Sequence, residues 1–167
     1  MNYFVCMFDI IKKFVNDLSV AEEPETFIHD KMQLAEAALM YHVIAVDGVI
    51  RDEEKARMAE LLSQQFDLSD EETKSLTIEA KTAEQEAIDL YKFTSVLKRA
   101  LNEEERIKII EHLWEMVFAD GILHELEDNV VWRIAELLAV DSRNRVLLKQ
   151  RVWKKTTQDL ETPTPNE

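Results

Sequence analysis

From residue 25 to residue 162 the chain contains no proline; its three prolines, Pro24, Pro163 and Pro165, lie just outside that span. Proline is the residue a helix interior tolerates least, so the span is open to one helix after another. The apolar pattern agrees. Leu34, Ala37, Ala38, Tyr41, Ile44 and Ala45 recur at three-and-four spacing, the mark of one helical face, and the stripe stops at Gly48, which can take the left-handed conformation that closes a helix. Ser69 with Glu72, Thr82 with Gln85, and Asn102 with Glu105 each place a side-chain acceptor three residues before Glu or Gln, a helix-start signal, and divide the middle into three helices. Further helices are expected at about 52–66, 124–138 and 142–157. Ahead of them, Phe4, Met7, Phe8, Ile11, Phe14, Val15 and Leu18 predict an amphipathic helix, followed by a short linker over 19–25. The expected fold is therefore all-α, a bundle of about eight helices without a sheet, arranged as an N-terminal helix and linker (1–25), a helical domain (26–158) and a loose tail (159–167).

The chain has two glycines, and each follows an aspartate at the end of a helical stripe. Asp47-Gly48-Val49-Ile50-Arg51-Asp52-Glu53-Glu54 matches Asp120-Gly121-Ile122-Leu123-His124-Glu125-Leu126-Glu127, with a carboxylate at both ends and an apolar pair after the glycine. The separation, 47 to 120, is 73 residues. It also pairs Leu34 with Ile107, Tyr41 with Trp114 and Ile44 with Val117, so the helix before each loop is repeated in phase. Two helix-loop-helix halves with pseudo-twofold symmetry follow. A second echo, Arg57-Met58-Ala59-Glu60-Leu61-Leu62 against Arg133-Ile134-Ala135-Glu136-Leu137-Leu138, lies at a separation of 76, which leaves the register of the helix after the loop open.

These motifs resemble the tellurite-resistance protein B family (TerB-like), whose pattern is an Ala-Asp-Gly element with an acidic residue seven positions on, present twice. The resemblance covers roughly residues 34–140 and includes Phe66-Asp67-Leu68-Ser69, Asp89-Leu90-Tyr91-Lys92-Phe93-Thr94, Glu105-Arg106, Leu113-Trp114 and Ile134-Ala135-Glu136-Leu137-Leu138, as in stand-alone uncharacterised bacterial members. The first motif departs from the pattern, with Val46 before Asp47 and Ala45 one position earlier. The resemblance implies an all-helical fold, a bacterial cytoplasmic protein and acidic motif residues of the kind proposed as metal ligands; it does not imply that this chain confers tellurite resistance, and the function expected is a module acting through protein partners in a stress or tellurite-resistance-type response.

Two readings of the motif compete. In one, Asp47 and Asp120 accept backbone N–H groups of their own turns while Glu54 and Glu127 sit at positive helix N-termini, so the acids only cap helices in a metal-free interaction scaffold. In the other, preferred here, Asp47, Glu54, Asp120 and Glu127 converge and hold a divalent cation, Ca²⁺ or Mg²⁺, which relieves the mutual repulsion of four carboxylates. Neither loop has the alternating acids of an EF-hand.

Other chemistry is scarce. The four histidines, His29, His42, His112 and His124, form no His-Glu-x-x-His or Glu-x-x-His element, and neither a nucleophile–base pair nor a phosphate loop is present, so an enzyme is not expected. Cys6, the one cysteine, reads as a packing thiol; a single thiol excludes an internal disulfide and fits a reducing, cytoplasmic compartment. The residues 1–11 make a poor signal peptide, with no basic start and Asp9 inside the apolar stretch. A formal net charge of −14 disfavours nucleic acid, and no apolar run is long enough for a membrane span. Asp89, Tyr91, Lys92 and Glu105-Arg106 are read as an interhelical brace. The last helix, with Arg143, Arg145, Lys149, Arg151, Lys154 and Lys155, should pack against an acidic face. Protein partners or a homodimer are expected; the Phe-rich first helix is read first as a cap on the bundle's own core, with a dimer contact or docking on a partner helix as the alternatives.

Overall fold

A computed structural model of the protein describes residues 25–161, with side chains from 31 to 158. The expected N-terminal amphipathic helix, Cys6 and the tail beyond 161 lie outside the described residues. Within them are seven helices and no strand: α1 (Glu25–Ala45), α2 (Asp52–Phe66), α3 (Asp70–Glu86), α4 (Tyr91–Ala100), α5 (Glu103–Val117), α6 (Glu125–Leu137) and α7 (Ser142–Glu161).

Two of the three cap signals operate as read. The Ser69 N–H donates to Glu72 Oε2 at 2.8 Å while Ser69 Oγ accepts from the Glu72 N–H, and Asn102 and Glu105 repeat the exchange at the start of α5. Thr82 starts no helix. It lies inside α3, where its hydroxyl donates to the Ile78 carbonyl at 3.1 Å, the back-bond available to any mid-helix threonine. The break comes later, where Ala87 turns extended and Asp89 Oδ1 accepts the Tyr91 N–H at 2.9 Å. Asp89 and Glu105 thus serve their own helix starts rather than an interhelical brace.

The duplication runs through three helices. Helices α1, α2 and α3 correspond to α5, α6 and α7; α1 packs on α3 as α5 packs on α7, and α4 is the connector between the halves. Buried positions settle the register left open by the two echoes. Glu54, Met58, Leu61 and Leu62 of α2 correspond to Glu127, Val131, Ile134 and Ala135 of α6, each pair 73 residues apart. The echo at 76 is a resemblance of letters that one helical turn brings nearly into phase, not an equivalence of buried faces.

Helix α1 is central, packing against α2, α3, α4, α5 and α6. Accordingly Ala35, Leu39, Met40 and Val43 are buried along with Ala37, Ala38, Tyr41 and Ile44 of the stripe read from sequence, while its ends, Leu34 and Ala45, are partly buried. Its counterpart α5 carries the bulk instead: Trp114 stacks on Phe118 at 5.6 Å, with Trp132 of α6 edge-on to Trp114 at 6.5 Å and Trp153 of α7 edge-on to Phe118 at 5.0 Å. The basic helix α7 meets acids as expected, through Lys149–Asp128 (2.6 Å), Lys155–Glu115 (3.6 Å) and Arg151–Glu111 (3.8 Å).

Candidate functional site

Each duplicated loop closes on itself first. Asp47 Oδ1 accepts the Val49 N–H at 2.8 Å and Asp120 Oδ1 accepts the Ile122 N–H at 2.8 Å, two copies of one turn built around Gly48 (φ 79°) and Gly121 (φ 76°). The left-handed backbone is why glycine stands at both positions. After each turn, two apolar residues and a basic one lead into the next helix. The third residue of that helix is the second acid, Glu54 or Glu127, and both are fully buried. The Arg51 N–H donates to Glu54 Oε2 at 3.3 Å, so Glu54 caps α2 as well as facing inward.

The two loops meet at the Arg51 side chain. Its guanidinium contacts Asp47 (Nη2–Oδ2, 2.9 Å), Glu127 (Nη1–Oε1, 3.0 Å), Glu54 (Nη1–Oε1, 3.4 Å) and Asp120 (Nε–Oδ2, 3.4 Å). Nη1 also donates to the Val49 carbonyl at 3.3 Å, fastening the fork to its own loop. All four predicted site residues therefore come together, two from each half, and the cation among them is the protein's own. His124, which holds the place of Arg51 in the second half, makes its direct contact with Asp120, Nε2 to Oδ2 at 3.2 Å, and acts on Asp47 through space without touching it. A planar fork with five donors can serve several carboxylates at once, whereas an imidazole cannot.

Charge within the cluster is balanced in two ways. Asp47 is held below the ordinary carboxylate range, chiefly by the Val49 N–H and then by Arg51, and Arg51 is held still more firmly protonated by Asp47. The buried glutamates move the other way. Loss of hydration pushes Glu54 up and pushes Glu127 to about 8, with the neighbouring Glu54 charge the next contributor for Glu127. Glu127 Oε2 is buried without a hydrogen-bond partner. One guanidinium is set against four carboxyl groups, and burial of the two glutamates favours their neutral forms.

The expectation of a Ca²⁺ or Mg²⁺ site on Asp47, Glu54, Asp120 and Glu127 is overturned by this geometry. Among the described residues no group of three or more His, Cys, Asp or Glu side chains is arranged to hold a metal ion. The reason is physical: the Arg51 fork occupies the middle of the four, each aspartate spends one oxygen on its turn, and burial disfavours the charged glutamate that a cation would need. The reading of the acids as helix caps and ion-pair partners is the one the contacts support.

Arg51 is the residue that sequence reasoning undervalued, although its alignment with His124 marked it as the only guanidinium in either motif. A second buried polar group was missed outright. Glu36 of α1 accepts from Gln65 Nε2 of α2 at 2.8 Å and lies 3.5 Å from His112 Nδ1 of α5, tying three core helices together. Isolated polar letters within apolar runs were the available signal.

Among the described residues no helix is long and apolar enough to cross a membrane. Neither a curated protein nor a solved structure matches the chain. A family model described as tellurite resistance protein TerB matches residues 33–150. That stretch runs from early in α1 into α7 and contains both loops, Arg51 and all four acids. With both Asp-Gly loops and most of the doubled three-helix half inside the match, the chain belongs to the TerB family.

Proposed function

We propose that this TerB-family chain is a metal-free, cytoplasmic protein-interaction scaffold in which Asp47, Glu54, Asp120 and Glu127 lock two loops together rather than bind an ion. The observation that carries this reading is Arg51 set among all four acids, which turns the duplicated motif into a clasp between halves. What the clasp presents outward is apolar: Val49 is 57% exposed, Ile122 58% and Leu126 53%, on the loop tips and the first turn of α6. Apolar side chains held in water by a rigid polar anchor are the usual composition of a partner-binding surface. The negative charge of the chain favours a protein partner over nucleic acid.

A photo-crosslinking amino acid placed at Val49 or Ile122 and activated in bacterial cells tests the reading. The expected result is a discrete protein adduct at these positions, lost on adding Leu126→Glu and absent when the probe stands at Glu71 of α3. Failure to form any adduct at the loop tips would overturn the scaffold reading. In parallel, calorimetric titration of Ca²⁺ or Mg²⁺ into chelator-treated protein should give no saturable heat at millimolar ion, and saturable binding there would overturn the metal-free clasp.

A further inference from the structure

Behind the loops, α5, α6 and α7 leave an apolar groove with a volume of about 440 Å³. Phe118, itself buried, forms part of its lining with Trp132, and Leu123, Val146 and Trp153, each about two-fifths exposed, complete its apolar surface. The charged residue beside them, Lys149, is already engaged: its ammonium is 2.6 Å from Asp128 and lies 5.1 Å from the Trp114 ring centre. The groove thus offers aromatic and aliphatic surface with no unpaired charge, a site for apolar side chains rather than for an anion or a metal.

We infer that residues 4–18 of this chain form an amphipathic helix that docks its Phe4/Phe8 end into the groove lined by Phe118, Trp132, Val146 and Trp153, within the same molecule. Two arguments select this occupant. The first is complementarity. Phe4, Met7, Phe8, Ile11, Phe14, Val15 and Leu18 fall on one helical face, more apolar surface than a free helix leaves in water, and the described domain offers an aromatic-lined groove of matching chemistry. The second is reach. Early α1, at Lys31 and Leu34, lies beside Leu68 and Leu76, whereas its far end leads to Asp47 and the Arg51–Asp120 contact, two residues beyond Phe118. The docking helix must therefore span about the length of α1, ~30 Å. A fifteen-residue helix contributes ~22 Å and residues 19–24, extended, up to ~20 Å, which together suffice.

Cys6 gives a direct test in the full-length chain. It is the only thiol, and although its apolar neighbours suggest a packing role, at ~100° per residue it falls well away from the centre of the apolar stripe, so a nitroxide attached there leaves the docking face intact. The chain has three tryptophans, Trp114, Trp132 and Trp153, giving three indole N–H signals in a ¹⁵N spectrum. The expected result is several-fold loss of the Trp153 and Trp132 indole intensities, reversed on reduction of the nitroxide, with the amide of Ile78 on α3 unchanged. Val146→Glu, at an exposed position, should abolish the loss while the melting transition is retained. Broadening that persists in Val146→Glu, or no broadening of Trp153 at all, would overturn the proposal. So would broadening seen only when nitroxide-labelled chain is mixed with ¹⁵N-labelled Cys6→Ser chain, because the groove would then be filled by a second copy.

Discussion

The two halves of the molecule share one loop and differ in what stands four residues after its aspartate. In the first half Arg51 bonds its own Asp47 and then reaches across to Asp120 and Glu127; in the second, His124 stops at Asp120. A fold with matched halves has thus acquired one shared electrostatic centre supplied from one side. The difference teaches that duplication places the acids symmetrically, while the reach and donor count of a single side chain decide whether the acids bind something external or close on the protein itself.

Removing that side chain should have the largest effect. Arg51→Met leaves two fully buried glutamates and two half-buried aspartates without their cation, and an uncompensated buried charge costs about 3–5 kcal/mol, to be read from the urea midpoint. Exchanging the two basic residues, Arg51→His with His124→Arg, tests whether the centre can be supplied from the other half. Recovery of most of the lost stability is expected if the halves are equivalent there, and no recovery would break the symmetry argument.

Glu127→Gln comes next, and its effect depends on pH. The Glu127 carboxyl is raised from an ordinary 4.5 to about 8, so the folded protein holds a proton that the unfolded chain gives up. That contribution is fully present below pH 4.5 and is lost as the pH rises towards 8. Glutamine is permanently neutral and keeps the acceptor for Arg51. The variant should match the parent at pH 5 to within about 1 kcal/mol and be the more stable of the two at pH 8, with a flatter pH profile in denaturant melts. Asp47 has the opposite sign: its lowered pKa gives stability above the ordinary 3.8 that is lost on acidification, so Asp47→Asn should flatten the acid limb instead.

The turns should show the halves at their most alike. Gly48→Ala and Gly121→Ala each force a side chain into a left-handed backbone, at a cost of about 1–2 kcal/mol. At Gly48 the added methyl meets nothing within 4 Å, so the cost there is conformational alone. Smallest of all, His124→Ala removes a single partly exposed contact and should cost at most about 1 kcal/mol, against the several expected for its counterpart Arg51. A similar loss for the two would erase the distinction between the halves.

Much of the architecture could be read without coordinates because its determinants are local. The Ser69 and Asn102 caps and the arrest of α1 near Gly48 each rest on residues within a turn or two of one another, and the duplication at a spacing of 73 is a comparison of two such local runs. Thr82 misled because the cap pattern states only that a helix could begin there; the surrounding chain kept α3 going to Glu86 and Asp89 marked the true restart. The register of α2 against α6 was equally beyond the letters, since separations of 73 and 76 differ by nearly a full helical turn and only burial distinguishes them.

The site divides the same way. By itself the sequence determined that four acids would stand at the ends of two matched loops, because turn, glycine and helix start are all encoded within eight consecutive residues. Only the tertiary structure decided what lies among them. Packing of α2 and α6 against the same core helices brings Glu127 and Asp120 within reach of an arginine far away in the chain, and burial then raises the glutamates towards neutrality. A guanidinium's partners and a carboxyl's hydration depend on distance through space, which residue spacing along a chain does not specify.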